Sequence, residues 1–66
     1  MRSDLTAFRK MIGLTQDEMA HIAGLAKSTW CNIEKGRCNG TAEMWINLGV
    51  KFGLSLETLK RLMEVK

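Results

Sequence analysis

Sixty-six residues carry 45 % hydrophobic and 26 % charged side chains with a formal charge of +3, which describes one small globular domain rather than a disordered or multi-domain chain. A chain this short buries only about 60 % of its unfolded surface, and the absence of proline with abundant Leu, Met, Ala, Glu and Lys favours helix. No apolar run reaches the roughly 20 residues of a membrane span, and the N-terminal MRSDLTAFRK lacks a signal-peptide core. A soluble, cytoplasmic chain is therefore expected, and one too small to enclose a catalytic pocket, so no enzyme and no cofactor.

The first predicted helix spans about Ser3 to Ile12, with Leu5, Phe8 and Ile12 on one face at helical spacing. The second runs from Gln16 to about Ala23 and opens with Thr15-Gln16-Asp17-Glu18. That is a capping box, in which the hydroxyl and the carboxylate three residues on satisfy each other's end amides. The third covers about Lys27 to Lys35, with Trp30 and Ile33 inward. The fourth runs from Ala42 to Phe52 behind Thr41, with Trp45, Leu48, Gly49 and Phe52 at i, i+3, i+4 and i+7. The fifth spans Leu56 to about Val65 behind Ser55, with Leu59, Leu62 and Met63 on its apolar side. Gly13, Gly24, Gly36 and Gly53 each follow a helical segment, as helix stops do. Gly49 lies inside one, which points to a close backbone approach.

Gly24-Leu25-Ala26 joins the second and third helices. So short a turn makes two helices cross steeply, at about 90–120°, as in a helix-turn-helix. The sequence from Gln16 through Met19-Ala20, Gly24-Leu25, Thr29-Trp30 and Ile33-Glu34 to Gly36 resembles that element in the Xre and phage lambda repressor-like family. Phe8-Arg9, Gly13-Leu14-Thr15, Leu48, Phe52-Gly53 and Ser55-Leu56-Glu57 extend the resemblance over nearly the whole chain. It implies an all-α, compact five-helix lambda repressor-like DNA-binding domain over residues 1–66. Four positions depart from the family pattern. Ala26 stands where the family has a Ser cap, at a cost of about 1 kcal/mol. Trp30 and Trp45 replace smaller aliphatic residues, and Gly40 replaces a proline.

The positive excess is local. Residues 1–25 balance to zero and residues 41–66 to +1, whereas residues 26–40 carry Lys27, Lys35 and Arg37 against Glu34 alone. Lys27, Ser28, Cys31 and Asn32 share the outward face of the third helix. Lys27 can donate to guanine acceptors and Asn32 can pair bidentately with adenine. The resemblance implies Gln16 as a phosphate contact and Lys27, Ser28 and Asn32 as base readers. Thr29, Lys35, Arg37 and Asn39 are expected on the DNA backbone, with Cys31 a small contact at the same face. It also implies a partly buried ion pair between Arg9 and Glu34. Cys31, Cys38 and His21 match no zinc spacing and lack a fourth ligand, so no metal is expected.

The function these features imply is a sequence-specific transcriptional regulator, a repressor reading a palindromic operator in the major groove of double-stranded DNA as a homodimer. The alternative is an antitoxin-like or adaptor module that uses the same fold to bind protein. A two-fold dimer through Leu54, Leu59, Leu62 or Met63, with Met44 or Val50 as additions, would leave both third helices free for DNA.

Overall fold

A computed structural model describes all 66 residues, Met1–Lys66. Five helices follow one another with no strand: α1 (Ser3–Met11), α2 (Gln16–Ala23), α3 (Lys27–Glu34), α4 (Ala42–Phe52) and α5 (Leu56–Met63). Helix α2 packs on α3 and α4, and α1 packs on α3 and α5, with α5 also against α4. The radius of gyration is 10.4 Å, close to the value of about 11 Å for a compact chain of this length. No helix is long and apolar enough to cross a membrane.

The helix starts follow the local chemistry. Thr15 Oγ1 accepts from the Glu18 amide at 3.2 Å, and Glu18 Oε1 accepts from the Thr15 amide at 2.9 Å. The Thr15 backbone bond, more than its side-chain bond, holds the Glu18 carboxyl below the usual carboxylate range. Thr41 and Ser55 cap α4 and α5 through the Met44 and Thr58 amides, each at 3.2 Å. Ala26 occupies the N-cap of α3 in extended geometry, φ −71° and ψ 152°, and offers no side-chain cap.

The helix ends are equally regular. Helices α1, α2, α3 and α4 finish with the backbone N–H of the residue after a glycine reaching back across the last turn. Leu14 donates to Arg9 O at 3.2 Å, Leu25 to Ala20 O at 2.8 Å, Arg37 to Asn32 O at 2.9 Å and Leu54 to Gly49 O at 2.9 Å. A glycine in each of the four turns supplies the positive φ it requires, +73° at Gly24 and +81° at Gly36.

Leu5, Met19, Trp30, Ile33, Leu48 and Leu62 form the centre of the core with Ala20, Ala23, Met44 and Trp45. Each large apolar side chain taken from water contributes about 1.5–3 kcal/mol. Phe8 and Phe52 close one side edge-to-face, centroids 5.5 Å apart. The close approach expected at Gly49 is to α5: a Cβ there would meet Leu59 Cδ1 at 2.8 Å.

Several boundaries and faces differ from the sequence expectation. Helix α1 stops at Met11, and Ile12 falls in the cap, where it turns outward and is 36 % exposed. Helix α3 stops at Glu34, one residue short. Helix α5 stops at Met63 rather than near Val65 because Glu64 turns extended, ψ 136°. The last residue then pairs with the first, Lys66 N to Met1 O at 2.8 Å. Leu62 was expected on a partner surface but is 4 % exposed, because α5 turns it inward to the core. Met44, on the inward face of α4, is 2 % exposed and also belongs to the core.

Candidate nucleic-acid interface

The turn between α2 and α3 is anchored at both ends. Gly24 reverses the chain, the Leu25 amide closes the last turn of α2, and the Leu25 side chain packs against the core. Trp30 and Ile33, both buried as expected, then fix the rotation of α3 about its axis. That rotation leaves Lys27, Ser28 and Thr29 exposed and Cys31 and Asn32 half-buried, with Lys35 and Arg37 exposed beyond them. Lys27 stands 3.8 Å from Asp17 across the turn, with both side chains more than half exposed. Such a surface pair contributes little and competes weakly with an external anion.

Glu34 is the one acid between residues 26 and 40, and it does not face solvent. Its side chain is 2 % exposed and lies 2.8 Å from Arg9 Nε. Thr6 Oγ1 donates to Oε1 at 3.0 Å, Gln16 Nε2 donates to the same oxygen at 3.3 Å, and the Trp30 indole N–H donates to Oε2. Burial by itself would raise this carboxyl. The bonds from Arg9, Trp30, Gln16 and Thr6 together outweigh it and hold the carboxyl below the usual range. The pairing of Arg9 and Glu34 is thus present, and it takes in Trp30, whose added bulk brings its own hydrogen-bond donor.

With Glu34 turned inward, the exposed charges of α3 and the following loop are Lys27, Lys35 and Arg37, with no exposed acid among residues 26–40. Asn32 sits between them, its side-chain amide held by no other protein group while its carbonyl accepts from the Arg37 and Cys38 amides. Gln16 is half-buried at the start of α2. Its amide is tied to Glu34, and its carbonyl accepts from Cys31 Sγ at 3.2 Å. Cys31 therefore directs its thiol at α2 rather than standing free on the outward face. Asn39 is exposed, but its backbone carbonyl accepts from Trp45 Nε1 at 3.0 Å and its Oδ1 lies 3.4 Å from Arg2 Nη2. Only its amide N–H groups remain for an external contact.

Arg2 is the functional-region residue that sequence reasoning missed. It is 3 % exposed and has no carboxylate partner. Its Nη1 donates to Ile33 O at 2.6 Å and Cys38 O at 2.7 Å, and its Nε donates to Met63 O at 3.0 Å. Helix α3 ends at Glu34 and α5 at Met63, so the guanidinium sits between two helix C-termini, whose dipoles favour a cation. It also stacks over the Trp45 ring, 5.7 Å from the centroid. Nothing around position 2 signals this, since every partner is at least 31 residues away.

No cluster of three or more His, Cys, Asp or Glu side chains forms, and both cysteines are free. No family model matches the chain, and neither a curated protein nor a solved structure matches it.

Proposed function

We propose that the chain is a sequence-specific DNA-binding transcriptional regulator, a repressor that places α3 in the major groove with α2 and α3 acting as a helix-turn-helix. The observation that carries this reading is the acid-free outward surface of α3 and its following loop. Three exposed cations flank Ser28, Thr29 and an unengaged Asn32, and the region's one acid is buried against Arg9. Cations on phosphates supply sequence-independent affinity, and a free carboxamide between them supplies base discrimination. Gln16, held by Glu34 and Cys31 at the start of α2, is the proposed phosphate contact, through the amide hydrogen that Glu34 does not take.

One short helix reads too few base pairs for selectivity in a genome, so the regulator acts as a homodimer on a palindromic operator, its α3 helices about 34 Å apart. With Leu62 and Met44 in the core, the surface for this falls on α4 and the turn after it. Ile46 and Val50, one helical turn apart, are 61 % and 79 % exposed, and half-buried Leu54 follows, with Met63 and Leu59 on α5.

The test is a gel shift of wild type and Asn32→Ala on a site selected from random DNA and on unrelated DNA, at two salt concentrations. Asn32→Ala should lose about 1–3 kcal/mol on the selected site and little on the other. Equal losses on both remove Asn32 as a reader. Absence of any shift, with a protein captured in its place, converts the reading to an adaptor module.

A further inference from the structure

Three of the four turns that end α1 to α4 place a leucine at the position that closes them: Leu14, Leu25 and Leu54 all pack against the core. An apolar anchor at this position is what normally fixes the exit direction of the chain. The turn after α3 has Arg37 there instead, and Arg37 is exposed. This turn has exchanged its anchor for an outward cation, and its loop, residues 36–40, must be held by something else.

We infer that Arg2 is that holder: a positioning residue that pins the loop after α3 from beneath, so that Arg37 meets a DNA phosphate from a fixed platform. The inference rests on the DNA-binding function proposed above. One Nη1 nitrogen joins the end of α3 to the loop, donating to Ile33 O and to Cys38 O. The Arg2 backbone N–H adds a bond to Glu34 O at 2.7 Å. Nη2 reaches Asn39 Oδ1, and Trp45, against which Arg2 stacks, takes the Asn39 carbonyl. The loop is thereby held on both sides of Arg37: its amide to Asn32 O behind, and Cys38 and Asn39 to Arg2 and Trp45 ahead. A planar fork suits this task because its nitrogens stand at fixed spacing, Nη1 on Ile33 O and Cys38 O and Nε on Met63 O, whereas an ammonium is a single nitrogen on a flexible stem. Pre-ordering matters because a loop ordered only on binding would spend part of the contact's free energy on its own immobilisation.

The test compares wild type, Arg2→Met, Arg2→Lys, Arg37→Ala and the Arg2→Met/Arg37→Ala double variant. Hydrogen exchange is measured on the free proteins, and affinity for duplex DNA is measured across a salt series. In Arg2→Met the Arg37 and Cys38 amides should lose protection while Met19 and Ala20 in α2 keep theirs. The slope of log affinity against log salt should become shallower by about 0.9, the signature of one lost phosphate. The double variant should bind as Arg37→Ala does, to within about twofold. A purely structural role would lower affinity by lowering the folded fraction and leave the slope unchanged, which overturns the inference. Should Arg2→Met not fold, Arg2→Lys decides: lost Arg37 and Cys38 protection with a shallower slope supports the guanidinium fork as the holder, and wild-type exchange and slope refute it. A wild-type chain that binds no DNA fails the proposed function, and Arg37 then meets no phosphate. The exchange data alone would then decide whether Arg2 holds the loop.

Discussion

Replacing Glu34 by alanine removes one acceptor that serves four donors from three helices. Thr6 and Gln16 are half-buried and can turn to water. Arg9 and Trp30 cannot. Arg9 keeps only its bond to Leu14 O at 2.8 Å, and breaking a buried pair by deleting one partner costs about 3–5 kcal/mol. The Trp30 indole N–H is left in a side chain with 0 % exposure, and an orphaned buried donor costs about 1–3 kcal/mol. Both donors share Oε2, so the two costs overlap, and the expected loss is about 4 kcal/mol. A 66-residue chain at about 0.05–0.15 kcal/mol per residue has only roughly 3–10 kcal/mol in total. Glu34→Ala should therefore be close to unfolding. Glu34→Gln, which keeps an acceptor in place but no charge, should lose less. Urea titration followed by far-UV circular dichroism measures both, read as midpoint shifts at constant slope. A loss below about 1 kcal/mol for Glu34→Ala, the level of an ordinary substitution, would refute the reasoning. So would an Arg9/Glu34 double-mutant cycle with coupling near zero.

Acid should destabilise the fold through the same carboxylate: its folded pKa lies below the unfolded value of about 4.3, so its contribution is whole above that value and disappears as pH falls through the folded pKa. Urea midpoints measured from neutral to acidic pH should show this fall, and Glu34→Gln should flatten the part that Glu18 does not supply. Ala26→Ser should gain about 1 kcal/mol, since position 26 already has cap geometry and lacks only the acceptor for the Thr29 amide; an unchanged urea midpoint would mean that water already serves that end equally well. Val50→Glu should leave the helical spectrum intact and yield monomers in sedimentation with weaker operator binding; a dimer that persists would move the partner surface off α4.

Much of the fold is legible along the chain because its signals are local. The Thr15 to Glu18 capping box, the hydroxyls before α4 and α5 and the glycines after the helices act within a few residues, and the structure has helices where those signals put them. The inward faces of α3 and α4 are legible for the same reason: Trp30 with Ile33, and Trp45 with Leu48, are spaced to share a face, and all four are buried. The ends of the faces are less so. Ile12 continues the stripe of α1 but falls where the helix has stopped, and Leu62 and Met63 are adjacent in sequence yet opposite in burial because packing against α1 sets the rotation of α5. What side-chain spacing alone cannot carry is the pairing of distant polar groups. The family resemblance implies Arg9 opposite Glu34, but Thr6, Gln16 and Trp30 join that carboxylate only when the fold brings three helices around it, leaving the outward face of α3 free of acid. Arg2 is the extreme case, a cation whose partners are backbone carbonyls at positions 33, 38 and 63. Every residue has a carbonyl, so no side-chain pattern marks these three; their convergence exists only after α3 and α5 end side by side around the second residue.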